Sequence, residues 1–232
     1  MKCVLFDLDG TLYQSEEYSR HLDDQISGLI SEMLGVSREQ AEDLLRQGKS
    51  KFGTLTRTLE SLGIDRERFF TEIARRTDIN AYLKKDSTLG DLMRTLRQRG
   101  FRIGLVSNSG SALVHKILQS IDLPVEQLDV VVTSSDAAPK PSKEPFIVAL
   151  RQIGSDAESS IYVGDRDEQE LRPAKELGIR TVLVNVPDRY EAKWADYVVH
   201  SLAELPELLD QFEPDRKFSG KGVREVRTTS SP

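Results

Sequence analysis

The fold is decided by residues 3–13, Cys3-Val4-Leu5-Phe6-Asp7-Leu8-Asp9-Gly10-Thr11-Leu12-Tyr13. The first four residues of this stretch are apolar, which predicts a strand buried inside a parallel sheet. Two carboxylates, a glycine and a hydroxyl follow directly, at the edge of such sheets where ligands bind. Carboxylates this close together repel each other unless a cation lies between them, and Mg²⁺ prefers oxygen ligands and phosphate-bearing substrates. The stretch therefore predicts a site that handles phosphate.

Length and composition exclude several classes of protein. The 232 residues suit one large domain, or one domain with a smaller insertion, and 38% hydrophobic with 30% charged residues is typical of a globular chain. No apolar run approaches the roughly 20 residues that span a bilayer, and no signal peptide is recognised, so we expect a cytoplasmic protein without a membrane partner. The net charge of -6 argues against a nucleic-acid partner. The single cysteine, Cys3, is expected to be a buried thiol. Nothing in the pattern predicts an oligomeric state.

Helical patterns fill the segment that follows the first strand. Apolar residues recur at helical spacing over 15–34, and Ser37-Arg38-Glu39-Gln40 resembles a capping box that opens the next helix. Two more helices are predicted over 54–62 and 65–76. We therefore expect a helical insertion, or cap, over residues 14–85.

From residue 88 onward, helices and strands alternate. Helices separate the predicted strands, which cover 101–106, 128–132, 160–163, 181–184 and 197–199. This alternation implies an α/β fold in which a parallel sheet carries helices on both faces. Residues 1–13 and 86–212 would form this core. Residues 213–232 lack apolar periodicity, so we expect a flexible or loosely packed tail.

Polar residues stand at four predicted strand ends, and the carboxyl ends of parallel strands share one edge of a sheet. These residues are Asp7, Asp9 and Thr11 after the first strand, Ser107 and Asn108 after the second, Lys140 in the loop after the third, and Asp165 after the fourth. We therefore expect these side chains to converge on one cleft.

The carboxylates match the needs of phosphoryl transfer. A carboxylate can attack phosphorus and form an aspartyl-phosphate, which splits hydrolysis into two easier steps. A metal ion held by Asp7 and Asp165 would neutralise the charge of the phosphate. A second carboxylate must protonate the leaving oxygen and later activate water, and Asp9 suits that role.

Donors and cations complete the predicted site. Thr11, Ser107 and Asn108 offer hydroxyl and backbone donors that would hold phosphoryl oxygens. Lys140 would balance the remaining negative charge. Gly10 would let the backbone turn sharply beside the bound group.

Taken together, these motifs resemble the phosphatase branch of the haloacid dehalogenase superfamily. The four motifs of that family match Asp7-Leu8-Asp9-Gly10-Thr11, Val106-Ser107-Asn108, Lys140-Pro141 and Val163-Gly164-Asp165. The resemblance covers the chain to about Leu209. It implies a Rossmann-like core with a helical cap inserted after the first motif. It also implies Mg²⁺ dependence, Asp7 as the nucleophile, and Asp9 as the general acid/base that binds the metal through its backbone carbonyl.

Two positions depart from the family pattern. The family often has Asn-Asp late in the fourth motif, where this chain has Gln169-Glu170, so Glu170 and Asp167 compete as the carboxylate that supports the metal site. The second proline of the third motif is replaced by Lys143, which makes Lys143 a rival to Lys140, although spacing to Phe146 favours Lys140.

The inserted segment is similar to the caps of pyrimidine 5′-nucleotidase-like and phosphoglycolate phosphatase-like members. The stretches that carry the similarity to the first group are Leu34-Gly35-Val36, Phe52-Gly53-Thr54-Leu55 and Leu62-Gly63-Ile64-Asp65. Phe52 and Phe69-Phe70 would pack in its core or stack on a base. We therefore expect a Mg²⁺-dependent phosphomonoesterase of a small phosphorylated metabolite, with a nucleotide 5′-monophosphate among the candidates. The alternatives are a haloacid dehalogenase, a phosphomutase and a non-catalytic interaction protein. Asp9 argues against the dehalogenase, because a halide leaving group needs no protonation.

Overall fold

The computed structural model describes residues 2–186 and 191–210, together with the backbone of Arg224–Glu225. Its strands are β1 (Cys3–Phe6), β2 (Arg102–Val106), β3 (Val130–Val132), β4 (Ser160–Gly164), β5 (Arg180–Val184), β6 (Tyr197–Val199) and β7 (Arg224–Glu225). They form one sheet in the order β3-β2-β1-β4-β5-β6-β7, and every neighbouring pair is parallel. The prediction of an α/β fold with a parallel sheet is confirmed.

Helices connect the strands of this sheet. They are α1 (Glu16–Leu34), α2 (Arg38–Phe52), α3 (Leu55–Ser61), α4 (Arg66–Arg76), α5 (Ser87–Gln98), α6 (Ser111–Ser120), α7 (Glu144–Ile153), α8 (Arg172–Lys175) and α9 (Leu205–Asp210). A π-helical turn, Asp167–Leu171, precedes α8. In the described residues, no helix is long and apolar enough to cross a membrane.

Strand β1 lies at the centre of the sheet and is buried on both sides. Its side chains alternate between the two faces, as the period of two in a strand requires. Val4 and Phe6 belong to the apolar cluster that includes residues of α5, α6 and α9. Cys3 and Leu5 belong to the cluster that includes residues of α7 and α8. Helices therefore cover both faces, and Cys3 is the buried free thiol that the sequence predicts.

Helices α1 to α4 lie between β1 and α5 in the chain, where the helical insertion is predicted. Ser37 and Gln40 form the expected capping box at the start of α2. The insertion packs against α6, where Lys116 Nζ donates to the carbonyl oxygens of Ala74 at 2.7 Å and Thr77 at 2.6 Å, at the end of α4. The division into a core and a cap with limits at 14 and 85 stays a prediction. The predicted tail, 213–232, lies outside the described residues except for β7.

Candidate active site

The sheet order brings the predicted strand ends together. Strand β1 lies between β2 and β4. Strands β2 and β3 lie on one side of β1, and the chain then crosses to β4 on the other side. Such a switch in strand order opens a crevice at the carboxyl edge of the sheet. The ladder extends one residue past the strands, since Asp7 N donates to Val163 O and Ser107 N donates to Val132 O, each at 2.9 Å. Asp7, Ser107 and Asp165 directly follow β1, β2 and β4, so all three lie at the carboxyl edge of the sheet.

Lys140 is fully buried beneath this edge, with 0% of its surface exposed. Its ammonium group contacts Asp7 Oδ1 at 2.5 Å, Tyr162 OH at 2.8 Å, Val106 O at 2.9 Å and Glu170 Oε1 at 3.0 Å. Burial alone would lower the pKa of Lys140, but the charges of Asp7 and Glu170 outweigh it and raise that pKa above the ordinary value. The lysine therefore remains a cation that pairs with the predicted nucleophile.

The carboxamide of Asn108 fixes the backbone of Lys140. Asn108 Oδ1 accepts from Lys140 N at 2.7 Å, and Asn108 Nδ2 donates to Lys140 O at 3.0 Å. The side chain of Asn108 is thus engaged with Lys140. The prediction that Asn108 offers a donor to a phosphoryl oxygen stays a prediction. The rival lysine, Lys143, pairs with Glu176 at 3.0 Å, and 43% of its side chain is exposed, so it lies outside this network.

Three carboxylates gather around the end of β1. Asp7, Asp165 and Glu170 each offer an oxygen atom, and these atoms lie within 4.8 Å of one another. Burial and the charge of Asp7 raise the pKa of Asp165 to about 6, and the same two causes raise the pKa of Glu170. Asp165 Oδ1 is buried and has no hydrogen-bond partner among the described residues. Closely spaced hard oxygen ligands with an unsatisfied oxygen fit a divalent cation such as Mg²⁺.

The structure distinguishes between the two acids that compete in the fourth motif. The π-helical turn carries Glu170 inward to Lys140 and the carboxylate cluster. Asp167 faces the other way, because its two oxygens accept from the backbone N–H groups of Lys193 at 2.8 Å and Trp194 at 2.9 Å. Geometry therefore favours Glu170 as the supporting carboxylate, and Asp167 anchors the segment that precedes β6.

Asp9 occupies a different environment from Asp7. The phenol of Tyr13 donates to Asp9 Oδ1, and Ser109 Oγ donates to Asp9 Oδ2 at 3.1 Å. Burial and the charge of Asp7 raise the pKa of Asp9, and these effects outweigh the two hydrogen bonds, which act in the opposite direction. A carboxyl group with a raised pKa retains a proton more readily, as a general acid must.

Two glycines allow close approach of the backbone to the carboxylates. Gly10 has a φ of +85°, and a Cβ atom there would overlap the carboxylate of Asp165. At Gly164, a Cβ atom would lie 2.6 Å from Glu170 Oε2. A larger residue at either position would therefore displace an acid of the cluster.

The predicted phosphate-binding hydroxyls are both buried at the site. Thr11 is 2% exposed, and its hydroxyl has no hydrogen-bond partner in the part of the chain that the structure describes. Ser107 is 3% exposed, and its hydroxyl accepts from the backbone N–H of Ser109 at 3.1 Å. The hydroxyl of Thr11 is therefore free to donate to a ligand oxygen.

Three residues without a predicted role also lie at this site. Tyr13 and Ser109 bind Asp9, as described above. Asn185, which follows β5, donates to the carbonyl oxygens of Gly10 at 2.8 Å and Thr11 at 3.3 Å, and so holds the loop after β1. Asn185 is the first polar residue after a buried strand, and the rule that identified Asp7 and Asp165 would have found it.

This chain is similar to several known proteins. A family model described as haloacid dehalogenase-like hydrolase matches residues 1–178. Glyceraldehyde 3-phosphate phosphatase of Methanocaldococcus jannaschii is 27% identical over 93% of this chain and 100% of its own length. Phosphoglycolate phosphatase of Aquifex aeolicus is 27% identical over 79% of this chain and 84% of its own. A solved phosphatase structure of the same superfamily from Thermococcus onnurineus superposes with a TM-score of 0.68 at 26% identity, covering 90% of this chain and 98% of that one.

Proposed function

Because this chain belongs to the haloacid dehalogenase-like hydrolases, we propose that it hydrolyses phosphate monoesters of a small metabolite through an aspartyl-phosphate on Asp7, with Mg²⁺ as cofactor. The observation that carries this proposal is the contrast between two neighbouring acids. Asp7 contacts the buried ammonium of Lys140, whereas Asp9 is held by two hydroxyl donors and has a raised pKa. Paired acids in unlike environments are typical of a nucleophile beside a general acid.

The residues divide the reaction between them. A carboxylate oxygen of Asp7 attacks phosphorus while the bond from phosphorus to the leaving oxygen breaks, and Asp9 gives its proton to that oxygen. Asp9 then takes a proton from a water molecule, which attacks the phosphorus of the aspartyl-phosphate and releases inorganic phosphate and the Asp7 carboxylate. The hydroxyls of Thr11 and Ser107 would hold phosphoryl oxygens during both steps.

A divalent cation has a suitable set of ligands in this chain. Asp7, Asp165 and Glu170 would supply carboxylate oxygens. Burial and, after it, the charge of Asp7 raise the pKa values of Asp165 and Glu170, and a cation would relieve that repulsion. When bound, the cation would neutralise charge on the phosphoryl group. The backbone carbonyl of Asp9 as a further ligand remains part of the proposal.

The substrate class follows from the relatives. Those reported above are named as phosphatases of glyceraldehyde 3-phosphate and of phosphoglycolate, which supports a small phosphorylated metabolite for this chain. Neither name supports a nucleotide 5′-monophosphate, so the proposal does not extend to that candidate.

Hydrolysis of p-nitrophenyl phosphate tests the chemistry. Activity should require Mg²⁺, disappear in chelator and return when Mg²⁺ is restored. Asp7→Asn should lower kcat by at least about 1,000-fold, as expected when a nucleophile is removed. Asp9→Asn should reduce kcat/KM for an alkyl phosphate much more than kcat/KM for p-nitrophenyl phosphate, because this parameter reports the steps up to loss of the leaving group and p-nitrophenolate leaves without a proton. Retention of turnover by Asp7→Asn, or an equal loss of kcat/KM on both esters in Asp9→Asn, would refute the assignment of roles.

A further inference from the structure

Buried side-chain oxygens without hydrogen-bond partners are concentrated near the active site. In the described part of the chain there are five such atoms, and three belong to Thr11, Tyr18 and Asp165. As proposed above, Asp165 Oδ1 would bind the cation, and Thr11 Oγ1 would donate to a phosphoryl oxygen. The phenol of Tyr18 is not part of either interaction.

Tyr18 comes from the inserted helices rather than from the sheet. It lies in the first turn of α1, where its backbone N–H donates to Ser15 Oγ at 3.1 Å, and only 1% of its surface is exposed. Its ring meets the ring of Tyr13 edge to face, with centroids 5.8 Å apart, and Tyr13 in turn donates to Asp9. Tyr18 is therefore one aromatic ring away from the proposed general acid.

The phenol of Tyr18 is a neutral group that can donate a hydrogen bond. Burial and, after it, the charge of Asp9 raise the pKa of Tyr18, so the hydroxyl keeps its proton at ordinary pH. A buried hydroxyl that makes no hydrogen bond costs free energy, and this cost is recovered when a ligand oxygen binds it. The leaving group of the substrate lies beside Asp9, because Asp9 protonates the leaving oxygen.

We propose that the hydroxyl of Tyr18 binds an oxygen atom of the leaving group, and that the enzyme thereby selects phosphate esters whose alcohol carries a second oxygen close to the ester. This inference rests on the proposed function. One hydroxyl on helix α1 would select the substrate, while Asp7 and Asp9, at the edge of the sheet, would carry out the reaction.

Two esters of equal size test this selection. The leaving groups of 2-hydroxyethyl phosphate and n-propyl phosphate have the same number of non-hydrogen atoms, and a hydroxyl in one replaces a methyl in the other. We expect the wild type to have the higher kcat/KM on 2-hydroxyethyl phosphate, and Tyr18→Phe to reduce that preference about tenfold, which is the size of one hydrogen bond. Tyr82→Phe is the matched control, since its ring packs 6.4 Å from that of Tyr18, and it should keep the wild-type preference.

A stability measurement separates this role from a structural one. If the hydroxyl has no partner in the free protein, Tyr18→Phe should keep or raise the Tm without substrate. A lower Tm, an equal loss of kcat/KM on both esters, an unchanged preference, or a wild type that does not prefer 2-hydroxyethyl phosphate would each overturn the inference. Hydrolysis of p-nitrophenyl phosphate reports separately on the proposed function, which fails if the wild type does not hydrolyse that ester in Mg²⁺ or if Asp7→Asn retains turnover.

Discussion

Replacement of Lys140 by methionine should be among the most destabilising single changes in the active site. Lys140 is fully buried, and its ammonium group lies 2.5 Å from Asp7 Oδ1 and 3.0 Å from Glu170 Oε1. Methionine keeps much of the volume but leaves two buried carboxylates without their cation. Removal of one partner from a buried ion pair costs about 3–5 kcal/mol of unfolding free energy, and this is the loss we expect for Lys140→Met in chelator at pH 7.5.

The same loop provides a matched control. Lys143 also pairs with a glutamate at 3.0 Å, but 43% of its side chain and 38% of that of Glu176 are exposed. Exposed pairs contribute about 0–1 kcal/mol, so Lys143→Met should change the unfolding free energy by no more than that. Urea unfolding followed by circular dichroism measures both variants. The double variant Lys140→Met/Glu170→Gln should recover part of the loss, because one of the two unpaired charges is gone. A loss in Lys140→Met that is no larger than in Lys143→Met would refute the reasoning.

Two further predictions concern the carboxylate cluster. In the folded protein the pKa of Asp165 is raised from 3.8 to about 6. Between these pH values, in chelator, the folded protein keeps a proton on Asp165 that the unfolded chain releases. The contribution of Asp165 should therefore lower the unfolding free energy as pH rises through this interval. Urea unfolding between pH 4 and 6 should show this decrease for the wild type in chelator. It should be absent for Asp165→Asn in chelator and for the wild type in saturating Mg²⁺. An identical pH dependence of the unfolding free energy in these three experiments would contradict the prediction. Gly10→Ala and Gly35→Ala place alanine at positive φ, +85° and +66°. Gly35→Ala should cost about 1–2 kcal/mol of stability, and Gly10→Ala at least that much. Only Gly10→Ala should also weaken Mg²⁺ binding and phosphatase activity. A Cβ atom at Gly10 would overlap Asp165, whereas one at Gly35 would have none of the described atoms within 4 Å. Equal activity in the two variants would show that the contact with Asp165 does not matter.

Residues at the ends of strands were predictable from the sequence. Asp7, Ser107 and Asp165 each follow a short apolar run, and a parallel sheet brings such positions to one edge whatever the details of packing. The same reasoning gave the strands and most helices to within a few residues, since buried strands and amphipathic helices have distinct periods. Asn185 satisfies this rule as well, because it directly follows β5.

Other parts of the site depend on geometry that the sequence does not reveal. The geometry that favours Glu170 over Asp167 comes from a π-helical turn. The hydrogen bond from Leu171 N to Arg166 O at 3.3 Å, which widens this turn, has no clear signature in residue type. The contact of Ser109 with Asp9 requires two loops to meet. Complete burial of Lys140 depends on packing around it, and a Lys-Pro pair in a loop is by itself typical of an exposed segment.

The four acceptors around Lys140 have a consequence for how proteins of this kind diversify. Asp7, Val106, Tyr162 and Glu170 all come from β1, β2, β4 and the segments that directly follow them, and none comes from the helices between β1 and α5. Mutations in those helices can therefore accumulate without unpairing a buried charge. Under the proposed function, a lineage that keeps the sheet and changes these helices would acquire new substrates in small steps and keep the residues that pair with Lys140.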